Sequence, residues 1–549
     1  MRHKIFTARD GRFLTGPCRF GMVLRNSMEE AKRASPASYG SEKGVSGSDS
    51  RDSSISGKHD GVVPRTSAPV NPRRFADKSK WARFALFEWT SIEPVHPEDQ
   101  VQRNYLSVAA LWFSANVNVL TFSTGMLAPS MGLSLMASLW TILAFVLACS
   151  IAPAYFVTFG PKFGLRQIVQ SRYSFGYFGA SVVALLCAAS LIAYCIINSI
   201  LGGTTLTAVS SNGSLSPTVG IVIIAVLSFA VSFCGYRVLH FIESFIWFPT
   251  LICFILLTAF AGTGADGLHR QADEPKTSAR AVLAMGCTIA GFQLSWAGAA
   301  SDVSLYMYRD IDPKKLFIPV YLAFTLSVTP LMMLGAAFAS SAQHIPSWHH
   351  AMQEMDESNA PGPLFVLILA GRTGNFGKFL TVLLSLSAMG NIMTSIYSFG
   401  INCQTMLPFL TVFPRFIFSI VALAIFLPLS IVVSHKQTIL ETLNDFVSVI
   451  AYWSALYVGV VAADHCVMRR CRYDNYDLSA WNDWNRLPPG FAGLGSAILA
   501  LGLVIPCMDQ SWYSGPLAKH SGDLGFEVGL VLSFVLYCIL RPIERRLFH

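Results

Sequence analysis

From Tyr105 onward, long apolar runs alternate with short polar breaks, and each run is long enough to cross the roughly 30 Å hydrocarbon layer as a helix. Twelve runs stand out, at about 105–127, 131–157, 177–200, 217–235, 241–262, 280–302, 315–340, 376–406, 414–434, 438–462, 491–509 and 523–541. The pattern predicts an all-α integral membrane protein with twelve transmembrane helices. A six-plus-six carrier usually places its long loop in the middle, yet the link after the sixth run (about 303–314) is short and the longest, 463–490, follows the tenth. The spacing therefore predicts a 5+5 inverted repeat, about 105–262 and about 280–462, plus two extra helices at about 491–541.

Composition agrees with that pattern. The 549 residues are 53% hydrophobic and 13% charged with mean hydropathy +0.48, against about 25% charge in an average soluble domain, which excludes a water-soluble enzyme. Residues 1–84 read as a disordered cytosolic tail, because 27–80 are rich in Ser, Gly, Pro and charge and carry few large apolar side chains. Within it, 1–27 is basic and fits either a targeting segment or an extension upstream of a start at Met28. Most of the formal charge of +8 sits in this tail and its continuation to residue 104, so no basic face for nucleic acid is implied. Counted on the connections, the side that would share the cytosol with the amino terminus carries roughly twice the Lys/Arg of the other, which satisfies the positive-inside rule. Both termini are then cytosolic, the plasma membrane is the expected location, and the sequon Asn212-Gly213-Ser214 lies outside. The sequence implies no particular oligomeric state.

The chemistry sits inside the runs. In inverted-repeat carriers the first helix of each half is interrupted near the midplane, where freed backbone groups face a ligand. Run one contains Ser114-Ala115-Asn116-Val117-Asn118 and Thr121 to Gly125; run six contains Gly291-Phe292-Gln293 and Ser295-Trp296-Ala297-Gly298 before Ser301-Asp302. We expect breaks or gates at Asn116, Gly125, Gly291 and Gly298. Run three puts Tyr194 and Asn198 on one helical face. In run eight, Ser387, Asn391, Thr394, Ser395, Ser398 and Asn402 form a polar stripe too costly to face lipid. Three acids, Glu243, Asp302 and Asp445, lie in or beside runs and are candidates for proton coupling, because a carboxylate at membrane depth needs a partner, water or a proton. The cysteines lack metal or disulfide spacing. His344, His349 and His350 read as solvated loop residues, and His465-Cys466 with Cys471 as a membrane-edge cluster. No metal site, cofactor site or catalytic constellation is apparent.

At these residues the chain resembles the nucleobase–cation symporter-1 family, in particular its fungal purine-cytosine permease branch, which also contains vitamin B6 permeases. The resemblance covers nearly all of 85–549. It is carried by Trp112-Phe113-Ser114-Ala115-Asn116, Gly160-Pro161 through Gly164-Leu165-Arg166-Gln167 to Ser171-Arg172-Tyr173-Ser174-Phe175-Gly176, Asn198 with Gly202-Gly203, Trp296 with Asp302, Asn391 with Tyr397-Ser398, Tyr452-Trp453, Ser514-Gly515-Pro516-Leu517-Ala518 with Gly522-Asp523, and Arg541-Pro542-Ile543-Glu544.

The resemblance implies a LeuT-like fold and cation-coupled uptake of a small planar heterocycle from the membrane. The aromatic roles of the family fall on Tyr194 and Trp296 and the edge-reading roles on Asn198 and Asn391, with Ser395 and Ser114 beside them. Two departures stand out: the branch usually has Trp at Tyr194, and an Asn-Asn-x-x-Asn or Asn-Asn-x-Pro-Asn segment where this chain has Asn391-Ile392-Met393-Thr394-Ser395. Bacterial relatives hold sodium with small hydroxylated residues where Met389 and Gly390 stand, so the coupling ion expected is H+. The function implied is proton symport of a cytosine- or purine-type nucleobase; the alternatives are a permease for a pyridoxine- or thiamine-type vitamin and a membrane nutrient receptor with little flux.

Overall fold

Two polar residues bend the first apolar run. It folds as α1 (Tyr105–Asn116) and α2 (Val119–Ser130), which meet at 54°. Asn118 is fully extended and its side chain caps α2 by accepting from Thr121 N at 3.0 Å, so the second helix starts afresh instead of continuing the first. The computed structural model describes residues 92–548 apart from 211–213, 234–235, 263–266, 272–276, 359–360 and 437–438. The expected tail 1–84, with its segment 1–27, and the sequon's Asn212 and Gly213 lie outside the described residues.

The chain continues as α3 (Leu135–Phe163), α4 (Arg172–Thr207), α5 (Pro217–Phe233) and α6 (Tyr236–Gly262). Then follow α7 (Ala279–Leu294), α8 (Pro313–Ala342), α9 (Asn375–Met406), α10 (Arg415–Ser434) and α11 (Ile439–Ala462). Two more, α12 (Phe491–Cys507) and α13 (Gly525–Phe548), pack on each other at the end, joined through a two-stranded hairpin of Asp509–Gln510 and Tyr513–Ser514.

Among the described residues, nine helices are long and apolar enough to span a membrane, and ten if the bent α1–α2 pair is one span. The count of twelve expected from the sequence is not reached among the described residues, where α5 is described to Phe233 and α12 has 17 residues, about 26 Å at 1.5 Å per residue. The packing repeats between halves. The α1–α6 contact recurs as α7–α11, α2–α8 as α7–α3, and α5 on α4 as α10 on α9, as two similar halves of opposite topology require. The corresponding helices α4 and α9 make the most extensive contact in the bundle.

Burial sorts the helices by role. The apolar windows of α7, α9 and α11 are 78% buried, against 28% for α6, α10 and α13, so the first three form the centre and the others turn Leu, Ile, Val and Phe outward toward lipid. The 463–490 link folds against the ends of α3, α4 and α13. His465, of the cluster expected at the membrane edge, is fully buried among Tyr155, Phe159, Tyr473 and Tyr476, beside an Asp464–Arg469 ion pair of 2.7 Å, while Cys466 and Cys471 are exposed.

Candidate functional site

The breaks of the two halves meet at the centre. α7 runs to Leu294 and then tightens into 3-10 turns, Ser295–Gly298 and Ala300–Val303, hinged at Ala299. Asn116, the last residue of α1, joins them: its Oδ1 accepts from Trp296 Nε1 at 3.2 Å, and its Nδ2 donates to Trp112 O at 2.8 Å. Thr121 Oγ1 donates to Asn116 O at 2.5 Å, satisfying a carbonyl that the bend frees.

Trp296 is held parallel to Tyr194 of α4, with ring centroids 6.5 Å apart and planes within 10°. Two van der Waals contacts of about 3.5 Å add to about 7 Å, so a flat ring would enter between these two only once they part. Tyr194 is fixed by its hydroxyl, which donates to Gly291 O at 3.0 Å and lies 3.1 Å from Ser295 Oγ. One turn along α4, Asn198 Nδ2 donates to Tyr194 O at 2.9 Å and to Asn391 Oδ1 of α9 at 3.2 Å, while Ser395 Oγ reaches the same Asn391 oxygen at 3.4 Å. Asn198 Oδ1 is buried without a hydrogen-bond partner, an acceptor that a bound N–H edge would satisfy. Tyr194, Ser295, Trp296 and Ser395 line one cavity, whose free space is of the order of a single water molecule.

The three acids separate by environment. Glu243 of α6 is buried next to the site: Ser114 of α1 donates to its backbone carbonyl and Thr394 of α9 bonds its carboxyl. Among the described residues no Lys, Arg or His pairs with it. Asp302 accepts from Gln167 N at 2.9 Å, and Arg166 donates to its carbonyl at 3.1 Å, in a buried network that continues through Gln167 to Ser301 and Tyr457. Asp445 is far from both, at the other end, where it accepts from Ser511 of the hairpin at 2.8 Å.

Two of the glycines expected at the breaks lie elsewhere. Gly125 is inside α2, where a Cβ would stand 1.9 Å from Met332 O of α8, and Gly291 is inside α7, where one would stand 1.9 Å from Val447 O of α11. Both allow backbones to approach, as small residues do between membrane helices, and do not interrupt them. Gly298 does sit in the 3-10 turn at the break. The sequence reading missed Cys187, Ser190 and Trp453, which also line the cavity; the signal available was that Cys187, Ser190, Tyr194 and Asn198 share a face of α4.

Broken helices at the crossing of two similar halves, around a ring pair and buried amides, define a membrane transporter of the LeuT-like class. The chain belongs to the nucleobase–cation symporter-1 family, the family described as permease for cytosine/purines, uracil, thiamine, allantoin matching residues 94–529. Purine-cytosine permease fcyB of Emericella nidulans is 30% identical over 494 residues, covering 89% of this chain and 95% of its own length. Vitamin B6 transporter TPN1 of Saccharomyces cerevisiae is 26% identical over 538 residues, covering 87% and 90%. The solved structure of Mhp1, a nucleobase-cation-symport-1 family transporter in a closed conformation with bromovinylhydantoin bound, matches with TM-score 0.64 at 16% identity over 84% of this chain and 97% of Mhp1, a likeness of fold.

Proposed function

We propose that the protein imports a nucleobase of the cytosine or purine type by proton symport with alternating access, from the plasma membrane, with both termini in the cytosol. The observation that carries this reading is the parallel Tyr194–Trp296 pair at 6.5 Å, with Trp296 at the break of the α7 span and bonded to Asn116 at the break of the first. Every nucleobase has an aromatic face to stack, and an amide such as Asn198 or Asn391 can both donate to and accept from its edge.

Glu243 is the residue that carries the proton in this reading. A hydroxyl has one proton to donate, and Thr394 Oγ1 has Gly390 O at 2.9 Å as an acceptor-only partner besides the Glu243 carboxyl. A protonated Glu243 satisfies both contacts, its own proton going to Thr394. Through Ser114 and Thr394 the same residue touches α1 and α9, so gain or loss of the proton changes contacts between the halves. Asp302 serves instead to hold one end closed, and Asp445 to anchor the hairpin.

A vitamin-like heterocycle is the second reading. It is favoured by the hydroxyls of Ser295 and Ser395 on the cavity wall, and by Ile392 and Ser395 standing where the branch usually carries amides. The test is expression in a cell without its own nucleobase carriers, with labelled cytosine, adenine and pyridoxine at several external pH values. Cytosine or adenine accumulation that rises as external pH falls is expected. Accumulation of pyridoxine alone would select the second reading, and binding without accumulation would favour a receptor.

A further inference from the structure

We propose that Asp523, just ahead of α13, is a positioning residue for the substrate slot: through Tyr452 it holds α11, and with it α7, where Trp296 stays closed on Tyr194. The two appended helices thereby act on a cavity that, among the described residues, they do not line. The proposal rests on reading the ring pair as the substrate slot.

The segment from Ser514-Gly515-Pro516-Leu517-Ala518 to Gly522-Asp523 has no place in the cavity, and what it builds is a clasp. Four donors from three elements converge on the buried Asp523 carboxylate. Oδ2 accepts from Tyr452 Oη of α11, from Gln510 Nε2 at 3.0 Å and from Asp509 N of the hairpin at 3.3 Å, and Oδ1 accepts from Gly525 N of α13 at 3.0 Å. Gln510 Nε2 also donates to Tyr452 Oη. All four contacts come from donors, so the carboxylate is satisfied in its ionised form, and hydrogen bonds to an ionised acceptor are roughly twice as strong as neutral ones. Two glycines allow the approach: a Cβ on Gly525 would stand 2.4 Å from the Tyr452 ring, and Gly522, at φ +84°, lies where a Cβ would stand 2.9 Å from Cα of Arg280 in α7. Arg280 in turn pairs with Asp509 at 2.6 Å.

Helix α11 carries that tie to the slot. Trp453, next to Tyr452, lines the cavity with Tyr194 and Trp296, and its Nε1 donates to Ser190 Oγ of α4 at 2.8 Å. Further along α11, Val447 takes the close approach of Gly291, and Asn444 Oδ1 accepts from Thr288 Oγ1 at 3.2 Å. So α7, whose span bears Trp296 at its break, is packed on α11 and tied to the hairpin through Arg280. Without the Asp523–Tyr452 tie, α11 and α7 are free to shift together, and Trp296 parts from Tyr194 in the empty carrier. Bringing the two rings back together then subtracts from the free energy of binding.

Full-length protein in detergent tests this first without a ligand. Cys187 lines the cavity and Cys253 of α6 does not, and both are buried; their reaction with N-ethylmaleimide is followed by mass spectrometry of the two peptides. Tyr452→Phe, which removes one hydroxyl and keeps the ring, and Asp523→Ala are each expected to speed the reaction at Cys187 at least about fivefold with Cys253 at the parental rate, and to weaken equilibrium binding of labelled cytosine at least about threefold. The two substitutions combined should label Cys187 no faster than Asp523→Ala alone, because both cut one tie. Tyr452→Phe decides the matter if Asp523→Ala does not fold. Labelling of Cys187 at the parental rate, or equal acceleration at both cysteines, would reduce Asp523 to a stabilising contact and overturn the proposal, while weakened cytosine binding by Trp296→Ala would keep the ring pair. A Trp296→Ala protein that binds cytosine normally would instead defeat the ring-pair reading, and the proposal with it.

Discussion

Trp296 is fixed on three sides. Its indole N–H is bonded to Asn116, its edge meets Trp112 at 5.2 Å and 72°, and one face is parallel to Tyr194. A ring held this way loses little freedom when a ligand stacks on it, so more of the stacking energy appears as affinity. Stacking on one ring is worth about 1–3 kcal/mol. Trp296→Ala is therefore expected to raise the apparent KM for substrate about 5- to 150-fold with the protein still at the membrane, measured as initial uptake rate against concentration. Asn198→Ala should act more weakly, because interhelical hydrogen bonds in membranes average about 0.6 kcal/mol, and the expected KM rise is about threefold. Tyr194 and Asn198 stand out in the sequence as a ring and an amide four apart on one helical face, and the structure joins them on α4 through the Asn198 Nδ2–Tyr194 O bond. Trp453 does not stand out, because its partners on α4 are one hydroxyl and one thiol, which in a sequence look like ordinary core residues.

At the scale of elements, the broken first helix depends on one side chain. Asn118 both interrupts α1 and caps α2, and its Nδ2 donates to Ala115 O at 2.8 Å, so it ties the two pieces together. Removing such a cap costs about 0.5–2 kcal/mol. Asn118→Ala is expected to lower the thermal unfolding midpoint in detergent and to reduce uptake, while Asn118→Ser, which can still cap Thr121 N, should recover most of the stability; equal loss in both variants would contradict the capping role. The position of this break was readable, because Asn116 and Asn118 interrupt an otherwise apolar run. The roles of Gly125 and Gly291 were not. A glycine that opens a bend and one that admits a neighbouring backbone look alike in sequence, and only the nearness of Met332 and Val447 separates them. The same limit applies to α12, whose apolar run predicted a full span although the helix ends at Cys507.

For the whole molecule, the question is how one proton can bias a rearrangement of two halves. Repeated packing makes the halves near-equivalent, so small differential contacts can tip them. Glu243 is placed for this, since α1, α6 and α9 all meet at its side chain or carbonyl and no described cation neutralises it. A charged Glu243 there would be a buried carboxylate without a counter-ion among the described residues, so in the proposed mechanism loading the proton stabilises the closed contacts and releasing it favours opening. Glu243→Gln keeps the size and the donor to Thr394 but cannot release a proton. It is expected to bind substrate with near-parental affinity at every pH, to exchange internal for external substrate, and to lose accumulation against a gradient. The parent's uptake should rise as external pH falls, since protonation precedes transport, whereas uptake by the glutamine variant should be flat across the same range. Uptake by the variant that still follows external pH, or still accumulates substrate, would assign coupling to another group and leave Glu243 as a structural polar contact between α6 and α9.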